Sequence, residues 1–267
     1  MKGVKSSSIS ERLVIGILLV VILFPLCLLL VWSFTARWPW PNLLPERFSL
    51  RGWQQLQMES TSLLAVLRNN IFISLSVSFL SIVIALLTAK VYVGQSKSIQ
   101  KLIRFLVVLP LLIPATVFGM GIHPAFIRLG FANTSVGVIL SHLIYSLPYA
   151  ALLILNAYSG QIPKLEEEAH VLGASAWRTT VTITLPLLSP VLLVAFVMSY
   201  IVSFSQYFLT QLIGGGMVQT LATKIFPYLQ ANDRTIASVY SLVFLILTVA
   251  LFALVEMGVK RYQQRHA

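Results

Sequence analysis

The sequence predicts an all-α, polytopic membrane protein with about six transmembrane helices, and two observations predict it. The first is composition: of 267 residues, 57% are hydrophobic and 10% charged, against roughly 25% charged in a soluble domain. One aqueous core cannot hide that much apolar surface, so lipid is the solvent that fits. The second is arrangement: the apolar residues fall into six runs, each near the roughly 20 residues that cross a hydrocarbon core.

The first run is Leu13 to Phe34, longer than the apolar region of a signal peptide and without a good small-x-small cleavage site at Phe34-Thr35-Ala36, so it reads as a retained anchor. The others are about Ile71 to Ala89, Leu102 to Ile122, Ser135 to Tyr158, Leu187 to Leu209 and Ile236 to Val255. Pro110, Pro114 and Pro148 interrupt the third and fourth runs; membrane helices tolerate proline where neighbours satisfy the freed carbonyls, so both are kept. The segment 36–68 carries Trp38, Pro39, Trp40, Pro41 and Trp53 and reads as an interfacial loop. The whole of 1–267 is expected to be one transmembrane domain, with a core over about 65–255.

A formal net charge of +11 raises the question of nucleic acid. The basic residues lie between the apolar runs rather than along one face, which fits loops at an anionic lipid surface and argues against nucleic acid. Counting Lys and Arg over alternate loops places the larger share, including Lys90, Lys97, Lys101 and Arg104, on the side of both termini; N- and C-termini are therefore expected in the cytoplasm. A single cysteine, Cys27, excludes a disulfide framework and a cysteine-based metal site.

One cytoplasmic segment differs from the rest. Three of the eight acidic residues stand together at Glu166, Glu167 and Glu168, behind Pro163. Proline suits the first position of a helix and the glutamates would complement its dipole in the first turn. Leu165, Ala169 and Leu172 form an apolar stripe at helical spacing, and Gly173 stands where a glycine ends a helix. A second short helix is expected over Ala174 to Val181, bearing Trp177 and Arg178, before Pro186 begins the fifth span. The result is a short helical hook between spans four and five, which either lies on the bilayer or docks into a partner.

Polar stripes supply candidate pathway residues. Ser199, Ser203, Gln206 and Thr210 recur at helical spacing on span five; His142, Tyr145 and Tyr149 share a face of span four. Helix packing competes with pathway lining for both sets, and for Ser74, Ser78, Ser81 and Ala85 on span two packing is the preferred reading.

The hook resembles the motif of permeases of type I binding-protein-dependent ABC importers: Glu-Ala-Ala, three residues, Gly, nine residues, Ile-x-Leu-Pro. Here it reads Glu167-Glu168-Ala169, Gly173, Ile183, Leu185-Pro186, with Glu168 departing from the pattern at the first alanine. Arg68-Asn69-Asn70, Ser203 to Tyr207, Gly214 to Gly216 and Thr220-Leu221 are also similar to that family, nearest its polyamine, ferric-iron, thiamine and phosphonate branch. The resemblance implies a subunit in the inner membrane that forms half of a translocation pathway with a second, different permease chain. It implies that a cytoplasmic ATPase dimer contacts Glu167, Glu168, Ala169 and Gly173, in an ATPase-coupling segment that extends to Ile183, Leu185 and Pro186, and that an extracytoplasmic solute-binding protein delivers the cargo. With no GxxxxGK[ST] loop in the chain, ATP is expected on the partner and no cofactor or enzymatic activity on this one.

Two other classes fit less well. An ion-coupled secondary transporter places acidic groups at mid-membrane, whereas all eight acids here fall in loops or at span edges. An intramembrane enzyme needs paired carboxylates, a Ser-His pair or HExxH, and none is visible. The transported substrate is not legible in the sequence.

Overall fold

The computed structural model describes residues 9–38, 42 and 44–266; Pro39, Trp40 and Pro41 of the expected interfacial loop lie outside them. Helix α1 runs Ile9–Ser33, followed by the strands β1 (Thr35–Arg37) and β2 (Arg47–Phe48), then α2 (Arg51–Met58) and α3 (Ser60–Val93). The chain continues through α4 (Lys97–Leu112), α5 (Ala115–Arg128), α6 (Ser135–Tyr158), α7 (Ile162–Val171) and α8 (Ala176–Thr179). A π-helical segment, Thr180–Thr184, joins α8 to α9 (Leu185–Phe204); α10 (Phe208–Gly214), α11 (Leu221–Gln230) and α12 (Arg234–His266) follow.

Among the described residues five helices are long and apolar enough to cross a membrane, and six spans result if α4 and α5 count as one. That pair corrects the third expected span, because the axis turns by 100° between them. Pro114 is the cause. It pushes Ile113 into extended backbone (φ −101°, ψ 124°), as a proline does to the residue before it. The Tyr145 hydroxyl then donates to the freed Ile113 carbonyl at 3.0 Å. The second span starts at Ser60 rather than Ile71, giving 34 helical residues and a length of about 50 Å, more than the bilayer core requires. The expected fifth span breaks at Ser205 and resumes at Phe208, so Thr210 belongs to α10.

The chain divides into two compact units. One comprises Met1–Leu63 and Ile225–Ile246. In it β1 pairs antiparallel with β2, Thr35 opposite Phe48, so the expected interfacial loop is a short ribbon followed by a helix. Arg51 binds Asp233 at 2.6 Å, and Gly52 sits so close to Val239 and Thr235 that a side chain would not fit. The rings of Tyr228 and Tyr240 stack, and both their hydroxyls donate to the Glu59 carboxylate. Helix α1 leaves Leu13 to Phe24 largely uncovered, an all-apolar surface that only lipid or another membrane helix satisfies.

The other unit comprises Leu64–Lys224 and Leu247–Ala267. Its core joins Ala85 and Ala89 of α3 to Ala150, Ala151, Ile154 and Leu155 of α6 and to Leu188 and Ala195 of α9. Alanines at these crossings let membrane helices approach closely. Ser74, Ser78 and Ser81 are fully buried along the same face of α3, as packing requires.

Candidate functional site

The hook is built by α7, α8 and the π-helical segment. Helix α7 begins at Ile162, one residue earlier than expected, so Pro163 is its second residue and the three glutamates fall in its second turn. Their charge therefore stands away from the helix N-terminus. At the other end Gly173 adopts φ +86°. Its N–H donates to the His170 carbonyl at 2.9 Å and the Ala174 N–H to the Ala169 carbonyl at 2.9 Å. These two bonds are the Schellman closure that a left-handed glycine permits. Ser175 then caps α8 through the Arg178 N–H. The expected second helix is only four residues long and runs through the π-helical segment into α9 without a break. Ile183 accordingly lies in the π-helical segment, and Leu185 and Pro186 in the first turn of α9.

The side chains of the hook divide sharply. Glu167 and Glu168 are exposed and Ala169 is half-buried. Val171 and Leu172 are each 87% exposed and Trp177 is 77% exposed, an apolar edge set among charges. Glu166, in contrast, turns inward. It accepts from the Tyr158 hydroxyl at 2.7 Å and from the Thr184 hydroxyl, and pairs with the Lys90 ammonium at 3.3 Å. Lys90 also donates to the Thr180 hydroxyl at 2.6 Å. Burial raises the pKa of this carboxyl, but the hydroxyl donors and the ammonium outweigh burial and hold it below the ordinary glutamate value. Sequence reasoning missed Glu166. The available signal was Lys90 at the end of a span, a cation that needs an anion.

The predicted pathway residues separate as well. His142, with no exposed surface, lies between the Ser203 hydroxyl (Nδ1, 3.0 Å) and the Thr210 hydroxyl (Nε2, 2.9 Å). It thereby ties α6 to α9 and α10 across the break at Ser205. Ser199 donates to the Ser146 carbonyl at 3.4 Å and is fully buried, and Tyr145 is held by Ile113. In this conformation those five residues present almost no surface. Tyr149, at 39% exposure, and the half-buried Gln206 do.

At the far end of α6 from the hook, two segments singled out in the sequence meet. Asn69 Nδ2 donates to the Gln219 carbonyl at 2.8 Å. Gly215, at φ +54°, abuts the Asn133 side chain so closely that any Cβ would collide. Arg68, Asn69, Phe72, Ser135, Met217 and Val218 line an open cavity of about 370 Å³ there. Among the described residues no group of three or more His, Cys, Asp or Glu could hold a metal ion.

Known proteins share both sequence and fold with this chain. It is 28% identical over 177 residues to a spermidine/putrescine transport system permease PotC homolog of Mycoplasma genitalium, a match covering 65% of this chain and 62% of that protein. It is 29% identical to the molybdenum transport system permease ModB of Haemophilus influenzae, covering 61% and 80%. The matches span less than two thirds of several relatives, and only 32% of a putative ferric transport system permease, FbpB 1, of Haemophilus influenzae. In fold it is similar to the crystal structure of a bacterial ABC transporter involved in import of the acidic polysaccharide alginate, with a TM-score of 0.72, 18% identity and 94% of each chain covered. Residues 81–265 match the family described as binding-protein-dependent transport system inner membrane component. That match takes in the hook, its anchoring pair and the polar seam around His142, and by it this multi-pass membrane chain belongs to that family.

Proposed function

We propose that the chain is a permease subunit of an ATP-driven importer, forming half of a translocation pathway with a second permease, and that its hook docks a separate cytoplasmic ATPase. The observation that carries this reading is the two-sided hook. Its inner side is fixed to α3, α6 and the foot of α9 through Glu166, while its outer side offers Glu167, Glu168, Val171, Leu172 and Trp177 with nothing over them. An apolar edge rimmed by charge is what a protein partner covers. Gly173 sets the turn between the hook's helices, and Ile183, Leu185 and Pro186 seat the hook on α9. ATP binding closes the ATPase and draws the hooks together, and the spans swing outward; hook and pathway bias one two-state element.

The reading places both termini in the cytoplasm and the Asn69–Gln219 end of α6 outside, where the solute-binding protein presents cargo. Of the predicted pathway residues, Tyr149 and Gln206 line it, and His142, Tyr145, Ser199, Ser203 and Thr210 brace the helices behind. Relatives at similar identity carry names as different as spermidine/putrescine, ferric and molybdenum, so selectivity is assigned to the binding protein. Ion-coupled transport has less support, since the acid deepest in the α12 span, Glu256, is paired with Lys260 at 2.6 Å near the helix end. Purification of the tagged chain from native membranes in mild detergent tests the reading. A Walker-type ATPase and a second permease should co-elute, and elution alone even after crosslinking would overturn it.

A further inference from the structure

The π-helical segment Thr180–Thr184 stands where the hook meets α9. Such segments are rare and metastable, and they cluster at functional sites. Its sequence, Thr-Val-Thr-Ile-Thr, explains why regular helix fails here. Five β-branched residues in a row are stiff at χ1. Thr180 and Thr182 also bond back to the carbonyls of Ala176 and Arg178 at 2.8 Å, which loosens and bends a helix. Left to itself, this foot would be the softest point between hook and span.

It is not left to itself. Lys90 donates to Thr180 at one end of the segment, and Glu166 accepts from Thr184 at the other. The two charged groups also pair with each other at 3.3 Å, with 28% and 13% of their side chains exposed. The Tyr158 hydroxyl holds the second carboxylate oxygen. One half-buried ion pair thus grips both ends of the soft segment. It does so from the end of α3 and from the hook helix α7, with α6 behind it.

We infer that Lys90 and Glu166 are positioning residues that clamp the π-helical foot of α9, so that hook and α9 move as one lever. This rests on the coupling role proposed for the hook. Exposed Glu167 and Glu168 are free to meet the ATPase while Glu166 faces inward, so docking and clamping use different carboxylates of one turn. Without the clamp the hook turns about its soft foot and its motion stops short of the span.

The test uses the whole complex, purified from native membranes into nanodiscs, with hydrogen–deuterium exchange followed with and without ATP plus vanadate. In the unaltered complex, peptides of the hook (162–175) and of α9–α10 (199–214) should both change on trapping. Glu166→Ala should keep the hook response and lose the response at 199–214. Glu166→Gln keeps one oxygen to accept from one of the Tyr158 and Thr184 hydroxyls and an amide N–H to donate to the other, which protects the fold, and should lose it too. The exchanged pair Lys90→Glu with Glu166→Lys should restore it, because the hydroxyls of Tyr158, Thr180 and Thr184 donate or accept equally. Intact responses at 199–214 in both Glu166 variants, or failure of the exchanged pair to restore them, overturn the clamp. A merely structural pair would raise exchange over 176–190 and leave the trapped difference at 199–214 intact, which also overturns it. An unaltered complex whose hook never responds would instead bring down the coupling role itself.

Discussion

Gly173 has no heavy atom within 4 Å of the place where a Cβ would stand, so a side chain there costs backbone strain alone, about 1–2 kcal/mol in the left-handed region. Gly173→Val is therefore expected to insert normally and yet misdirect α8, lowering the ATPase recovered per permease in a pull-down. Gly173→Asn, which tolerates that backbone, should recover more, and equal recovery from all three proteins would refute the argument. Glu166 gives a pH dependence. Its carboxyl is held below the ordinary value of 4.5, so its contribution is complete above that pH and is lost as pH falls through the lowered value. The melting difference between wild type and Glu166→Gln should be constant near neutrality and vanish only in strong acid. His142→Ala would leave the Ser203 and Thr210 hydroxyls without their shared partner, a penalty of about 1–3 kcal/mol, read as a lower midpoint in detergent melts. At this scale the sequence is least informative. Glu166, Glu167 and Glu168 are chemically identical neighbours, and only the distant Lys90, Tyr158 and Thr184 decide which one turns inward.

Among the elements, α6 was legible to its ends because Thr134 caps it, accepting from the Gly137 N–H at 3.0 Å, and Tyr158 closes a mostly apolar run that continues through Pro148. Gly173 was legible for a similar reason, since its turn is a local matter of backbone sterics. The α4–α5 bend was not. A hydropathy window sees the same apolar residues in a straight span as in a bent one, and Pro110, Pro148 and Pro190 all stay inside helices while Pro114 breaks one. What separates them is tertiary: a hydroxyl from α6 waits for the Ile113 carbonyl. Tyr145→Phe is expected to cost about 0.5–1.5 kcal/mol, seen as a lowered melting midpoint; an unchanged midpoint would mean that another donor reaches that carbonyl. The π-helical foot was equally hidden, since a threonine-rich run shows reluctance to form α-helix but not what replaces it.

For the whole molecule, membrane class and hook location were readable because both follow from order along the chain. The pairing of Ile225–Ile246 with the first 63 residues was not, because it depends on contacts between segments far apart in sequence, such as Arg51 with Asp233. Orientation has a direct measurement. In a Cys27→Ser background, cysteines replacing Trp177 or Lys97 should react with an impermeant thiol reagent only from the cytoplasmic side. One replacing the exposed Met217 should react only from the other side, and the reverse pattern would invert the assignment. Finally, the grip on the α9 foot leaves a mark that needs no purified protein. A residue that neutralises a neighbour cannot drift on its own, so across the family positions 90 and 166 should change hands together, a lost cation accompanying a lost carboxylate. Position 167, exposed and without a part in that grip, should keep its own separate history if it meets the ATPase as proposed.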